Sequence, residues 1–178
     1  MSWERCIIFH VKGQHQRLMD KLVIYGNKPL NGTVDISGAK NAVLPMMTAA
    51  LLTDDITIIH KVPDLRDTRT MIRLLEMIGV GVEFDNETLK IDGSSVNKLE
   101  APYDLVKTMR ASFYVMGPLL GRFGEVKVSL PGGCAWGPRP VDFHLMGMEK
   151  LGAEVTLEQG YILAMGSQLK GANISFNF

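Results

Sequence analysis

The chain repeats itself, and a repeat constrains a fold more tightly than any single motif. Leu74-Leu75-Glu76-Met77-Ile78-Gly79, an alternating stretch, then Leu89-Lys90-Ile91-Asp92-Gly93 forms one block. Its counterpart, Gly147-Met148-Glu149-Lys150-Leu151-Gly152 with Ile162-Leu163-Ala164-Met165-Gly166, follows 73 residues later. Glu76 and Glu149, Gly79 and Gly152, and Gly93 and Gly166 match at that offset. Upstream, Leu51-Leu52 with Pro63 matches Leu119-Leu120 with Pro131 at an offset of 68. The five-residue difference falls between Pro131 and Gly152, in the stretch opening Gly132-Gly133-Cys134-Ala135-Trp136-Gly137-Pro138-Arg139. An insertion in one copy of a repeat belongs on a surface loop, where function concentrates.

Each copy reads as strand, helix, strand, helix, strand, strand, an α/β unit. In the first, 33–37 alternates, 41–52 is helical and 56–60 alternates. Met71, Leu74, Leu75 and Ile78 form a helical stripe within 68–78, closed by Gly79. Strands at 80–84 and 89–91 flank a turn at Asp85-Asn86-Glu87. The second copy has a helix over 104–120, with Val106, Met109, Phe113 and Met116 on one face and Gly117-Pro118 bending or ending it. A strand at 126–130, a helix at 141–151 and a hairpin over 153–165 complete it. Leu169-Lys170-Gly171 repeats the opening Leu30-Asn31-Gly32, so a third copy begins. The reading is an extension over 1–18 and an incomplete domain over 19–178, with units at 30–95 and 97–168 and a third starting at 169–178. Because a single repeat cannot bury its apolar face alone, a remainder is expected beyond that start; the alternative is a terminal strand closing a two-unit sheet.

Composition narrows the partners. The 178 residues carry 19 Lys+Arg against 19 Asp+Glu, 46% hydrophobic and 21% charged, as a folded globular chain does. Zero net charge argues against duplex nucleic acid or an anionic membrane as partner. Two cysteines make no disulfide framework, and apolar runs fall short of the roughly 20 residues of a membrane helix. A reducing, cytoplasmic setting is expected.

Any bound anion must then meet a few placed cations. Lys40-Asn41 follows Ser37-Gly38-Ala39 at a strand-to-helix junction, with Pro45 expected in the first turn, and joins a cation and amide donors to a helix N-terminus. The competing reading is a solvated helix start. Arg110 borders the buried face of its helix, with Lys107 one turn earlier, placed to bind an anion in two-pronged fashion or to snorkel from the core rim. Arg139 precedes a helix opening near Val141, where Asp142 caps the helix or accepts a bond from a ligand. His144 reads as a structural histidine, and no second histidine stands at metal-ligand spacing. Cys134, between Pro131-Gly132-Gly133 and Gly137-Pro138 and close to Arg139, is a thiol placed for acid or nucleophilic work, or a small residue tolerated in a turn.

Three motifs carry a resemblance. Ser37-Gly38-Ala39-Lys40-Asn41-Ala42, Ala101-Pro102-Tyr103 through Arg110-Ala111-Ser112, and Leu130-Pro131-Gly132-Gly133-Cys134 through Asp142 resemble the UDP-N-acetylglucosamine 1-carboxyvinyltransferase family over nearly the whole chain. The resemblance implies repeated βαβαββ units of an inside-out α/β barrel, here incomplete. It implies transfer of the enolpyruvyl group from phosphoenolpyruvate to UDP-N-acetylglucosamine in peptidoglycan synthesis, with neither cofactor nor metal. Cys134 is similar to the family's loop cysteine, which protonates phosphoenolpyruvate and is the target of fosfomycin. Lys40 and Asn41 match the pair that meets phosphoenolpyruvate and the sugar, and Arg110 and Arg139 match arginines on the phosphates and nucleotide sugar. Pro140, Val141, Asp142 and Phe143 match contacts to the uridine part. The chemistry agrees: an acid is needed at the methylene carbon, with clustered cations on the phosphate. Family chains are more than twice as long, and their second half supplies an aspartate base and further arginines. The expectation for these residues alone is therefore no turnover. The alternatives are a shikimate-3-phosphate enolpyruvyl transferase, which does not use the cysteine-bearing loop, a noncatalytic binding module, or a partial reading frame with no independent role.

Overall fold

The computed structural model describes residues 8–10, 22–24, 29, 31–106, 109–130 and 141–175. Two compact units divide at residues 36 and 37. The first holds β1 (Ile8–His10) and β2 (Leu22–Ile24), an antiparallel pair. The second holds the repeat.

There, α1 (Lys40–Ala49) runs into a 3-10 turn at Ala50–Leu52 and on to β3 (Ile56–Ile59). Next come α2 (Arg66–Met77), β4 (Gly81–Asp85) and β5 (Thr88–Asp92), then a 3-10 turn at Gly93–Ser95. The second copy comprises β6 (Glu100–Ala101), α3 (Tyr103–Val106), a 3-10 turn at Arg110–Val115 and α4 (Met116–Phe123). It ends with β7 (Glu125–Ser129), α5 (Asp142–Lys150), β8 (Glu154–Glu158) and β9 (Tyr161–Met165).

The two sheets have one design. The first is ordered β3-β5-β4 and antiparallel throughout. The second is ordered β6-β7-β9-β8, with β7, β9 and β8 repeating that pattern and β6 added parallel to β7. Ile56 pairs with Asp92 as Glu125 pairs with Met165, so the strand register sets an offset of 69 where the paired leucines had suggested 68. Both hairpins turn on two residues with left-handed backbone, Asn86-Glu87 (φ 44° and 59°) and Gln159-Gly160 (φ 50° and 83°). Such turns match the twist of the flanking strands. Gly79 and Gly152 stop their helices at φ 96° and 97°, a conformation that glycine adopts without penalty.

Helices cover the inner face of the sheets. Met47, Leu51, Met71, Leu74, Leu75, Ile78, Leu89 and Ile91 from the first copy join Phe113, Met116, Leu119, Leu120, Val128 and Ile162 from the second in one cluster. Burial of such side chains is worth about 1.5–3 kcal/mol each, the main drive for the two copies to share a core.

Four expectations are corrected. The helix read over 104–120 breaks, because Met109 is extended (φ −149°, ψ 117°) and divides α3 from the 3-10 turn. Its stripe of Val106, Met109, Phe113 and Met116 is nevertheless buried. Gly117-Pro118 does not end the helix but lies in the first turn of α4, which runs on to Phe123. Pro45 lies in the second turn of α1 rather than the first, at the cost of one backbone hydrogen bond. The strand expected at 33–37 is irregular, with Val34 and Ile36 79% and 84% exposed, and the corresponding stretch 169–175 is irregular too. Alternation sets which face a residue takes; a strand also needs a partner ladder.

Two surface carboxylates link this fold to pH. The Asp64 carboxyl is held below its ordinary range by hydrogen bonds from the Arg69 guanidinium, at 2.6 and 2.7 Å. The Asp92 carboxyl is lowered by the Ser94 hydroxyl at 2.7 Å and by the Ser94 amide at 3.0 Å. Groups lowered on folding contribute stability that is complete above their unfolded value and lost as pH falls through the folded one. Asp64→Asn/Asp92→Asn is therefore expected to flatten the loss of stability between roughly pH 5 and pH 2. Chemical denaturation across that range measures it; an unchanged slope sinks the assignment.

Candidate functional site

Lys40 is the first residue of α1, and Asp67 lies in the first turn of α2. Lys40 Nζ donates to Asp67 Oδ2 at 2.7 Å, so the N-termini of α1 and α2 meet at this pair. The acid is favourably placed, since a helix N-terminus carries partial positive charge. Sequence reasoning picked Lys40 and missed Asp67; the legible signal was an acid in the first turn of a helix. At the start of α1 the Ala39 carbonyl accepts from the Ala42 and Val43 amides, and no side chain caps the helix. Asn41 follows, exposed.

Gly38 sets how closely this junction approaches the chain leaving β3. A Cβ on it would stand 1.7 Å from the Lys61 carbonyl oxygen. The glycine of Ser37-Gly38-Ala39-Lys40-Asn41 is thus a packing requirement that fixes where α1 begins.

Arg110 opens the 3-10 turn at Arg110–Val115. That turn packs on both α1 and α2. On its other flank Phe113 meets His144 of α5 edge to face, with ring centroids 5.6 Å apart at 81°. One short segment therefore packs on α1 and α2 on one side and meets α5 on the other. Buried hydroxyls of Thr68, beside Asp67, and of Ser112, two residues beyond Arg110, have no hydrogen-bond partner among the described residues.

At α5, Val141 is buried and its carbonyl accepts from the His144 and Leu145 amides. Asp142 does not cap the helix as expected: Val141 occupies the cap, without a side-chain bond, and Asp142 lies exposed in the first turn. Phe143 beside it is also exposed. Cys134, Arg139 and Pro140 lie outside the described residues, as do Lys107 and the Arg110 side chain. Lys40 and Asn41 open α1, on which the 3-10 turn opened by Arg110 packs, while Val141, Asp142 and Phe143 begin α5, joined to that turn through Phe113 and His144. Among the described residues no group of three or more His, Cys, Asp or Glu could hold a metal ion, and no helix is long and apolar enough to cross a membrane.

The Lys40–Asp67 pair is partly exposed, at 40% and 33%, so it contributes about 0.2–1 kcal/mol. Asp67→Asn is expected to change the unfolding free energy by less than about 1 kcal/mol. It should also raise the acylation rate of Lys40 by an activated ester, followed by peptide mass spectrometry. Unchanged Lys40 reactivity would show that the pair does not hold the amine.

The chain matches the EPSP synthase (3-phosphoshikimate 1-carboxyvinyltransferase) family over residues 24–178. It is 60% identical over 161 residues to the UDP-N-acetylglucosamine 1-carboxyvinyltransferase of Chlorobaculum parvum, and 58% identical over 161 residues to that of Chloroherpeton thalassium. Each alignment takes in 89% of this chain, and the chain spans 38% of the length of these curated relatives. The crystal structure of the enolpyruvyl transferase NikO from Streptomyces tendae aligns with a TM-score of 0.67 and 26% identity, covering 79% of this chain and 31% of that one. EPSP synthase from Acinetobacter baumannii aligns with a TM-score of 0.54 over 86% of this chain and 37% of that one, and at 15% identity the likeness is one of fold.

Proposed function

The chain belongs to the EPSP synthase family of enolpyruvyl transferases, and we propose that it is the part of a UDP-N-acetylglucosamine 1-carboxyvinyltransferase that carries the loop acid and a first set of phosphate-binding cations. The 60% identity over 161 residues to a relative of that name carries the reading. In the proposed reaction the enolpyruvyl group passes from phosphoenolpyruvate to the 3-hydroxyl of UDP-N-acetylglucosamine, and phosphate leaves. Cys134 delivers a proton to the methylene carbon as the 3-hydroxyl oxygen bonds to the neighbouring carbon and gives up its own proton; the methyl carbon so formed then loses a proton as the C–O bond to phosphate breaks, which restores the vinyl group. Lys40 and Asn41 meet phosphoenolpyruvate and the sugar at the start of α1. Arg110 and Arg139 neutralise phosphates, and Pro140, Val141, Asp142 and Phe143 contact the uridine part. Asp67 holds the Lys40 amine beside this site. The setting is cytoplasmic peptidoglycan synthesis, with fosfomycin as a Cys134-directed probe. Units at 30–95 and 97–168, with a third opening at 169–178, are the proposed division of the domain.

Shikimate 3-phosphate is the less favoured acceptor, because Gly132-Gly133-Cys134 has no use in that reaction. Since a base and further arginines are expected from outside these residues, the purified chain should show no enolpyruvyl transfer. The test is alkylation by fosfomycin, read by intact mass and peptide mapping. Addition at Cys134, faster with UDP-N-acetylglucosamine present and absent in Cys134→Ser, is the expected result. Labelling that ignores the nucleotide sugar, or that falls on Cys6, would overturn the proposal.

A further inference from the structure

We infer that the open edge of β3 is an interaction surface for a second molecule of this chain, the two β3 strands pairing antiparallel about a two-fold axis at Thr57. β3 is an outer strand of its sheet, bonded to β5 on one side. The corresponding edge of β7 is covered by β6, whereas no strand covers that of β3 among the described residues. An uncovered edge offers its N–H and C=O groups to any strand that can lie beside it.

Charge decides which edge can pair with itself. Among the outer strands of the two larger sheets, β4 carries Glu83 and Asp85, β6 carries Glu100, and β8 carries Glu154 and Glu158. Pairing any of these with its own counterpart gathers carboxylates, which blunts the edge. β3 is Ile56-Thr57-Ile58-Ile59, uncharged and β-branched throughout. Ile56 and Ile58 are 54% and 56% exposed. They lie on the outer face of the sheet, opposite Asp92 and Lys90 of β5, whose Leu89 and Ile91 face the core. On the inner side a cavity of about 520 Å³ runs between β3 and Met46, Ala49 and Ala50, with room for side chains of an added strand.

The two faces fix the register. Residues paired across one continuous sheet share a face, so a two-fold axis passes through a residue and not between two. With the axis at Thr57, Ile56 stands opposite Ile58 of the other molecule, and all four exposed isoleucines join in one apolar patch. Thr57 meets its own counterpart on the inner face, a favourable cross-strand pair. The flanks agree. Asp54 and Asp55 precede the strand, His60 and Lys61 follow it, and all four are exposed. Antiparallel pairing sets the acidic end of each molecule against the basic end of the other, with Asp54, which also accepts from Arg122 Nη2, opposite His60. A parallel pair would set acid on acid. The inference rests on this strand and its flanks, not on the proposed activity.

Sedimentation equilibrium of the purified chain, from dilute to concentrated solution, is the test. The expected result is a mass that rises from one chain to two. Ile58→Lys puts a charge on the exposed face opposite Ile56 of the other molecule and should weaken association about tenfold, with the urea midpoint of the dilute chain unchanged. Ile56→Asp/Ile58→Lys should recover part of that loss, since the introduced carboxylate and amine face each other across the axis. A single-chain mass at every concentration, as when the edge takes another strand of its own molecule, overturns the proposal. Association that Ile58→Lys leaves at full strength does the same, and a double variant no better than Ile58→Lys overturns the axis at Thr57.

Discussion

Replacing Arg122 by methionine is expected to lower the unfolding free energy by about 3 kcal/mol, within the range for removing one partner of a buried charged network. The side chain is only 17% exposed and gives one nitrogen to three carbonyls from two separate turns. Methionine keeps the stem and loses every donor, so the carbonyls of Leu51, Thr53 and Gly93 face one another unpaired. A hydrogen bond to a charged group is worth about 1.5–3 kcal/mol, and unsatisfied acceptors add their desolvation cost. The cation also stacks over the Phe123 ring, 4.8 Å from its centroid, which methionine cannot reproduce. Arg122→Lys should recover part of the loss, because an ammonium reaches carbonyls but lacks the fork that also serves Asp54. Urea unfolding decides: a lowered midpoint with unchanged slope is the expected signature. A loss below about 1 kcal/mol would mean that the core alone holds the copies together.

A comparable effect is expected at the other end of the first copy. Gly38→Ala puts a Cβ 1.7 Å from the Lys61 carbonyl oxygen and 2.9 Å from its carbon, both backbone atoms that cannot rotate aside. Pro63 Cδ, at 3.4 Å, closes the remaining direction. Overpacking of this kind costs about 1–3 kcal/mol, and backbone against backbone belongs at the upper end. The start of α1 would have to move away from β3, and Lys40 with it. Gly32→Ala is the matched control, since nothing lies within 4 Å of the added atom. That variant should stay within about 0.5 kcal/mol of the parent. Equal stability of the two alanine variants would show that the Gly38 contact relaxes freely.

Much of this architecture was legible from residue pattern alone. The glycines at 79 and 152 and the hairpin at Asp85-Asn86-Glu87 are local signals, and each sits where backbone conformation demands it. The stripe Met71, Leu74, Leu75 and Ile78 is equally local, and all four are buried. The break at Met109 was not legible, because the stripe from Val106 to Met116 keeps helical spacing across a residue whose backbone is extended. Tertiary packing can hold a pattern while the backbone leaves the helix. Lys40 was found through its motif, but Asp67 lies 27 residues away and pairs with it only once α1 and α2 pack. Arg122 is hidden from sequence for a similar reason. Its three acceptors are main-chain oxygens, which sequence does not display.

The matched two-residue hairpins have a consequence for the order of events in synthesis. Each closes over Asn86-Glu87 or Gln159-Gly160, so the loop-closure cost is small and formation takes roughly microseconds. Chain elongation, at about 5–20 residues per second, is far slower. The first hairpin can therefore form and re-form many times before the residues of the second have been added. Local hairpins form copy by copy during synthesis, while the shared core and the Arg122 bonds to Leu51, Thr53 and Gly93 close only when both copies are present.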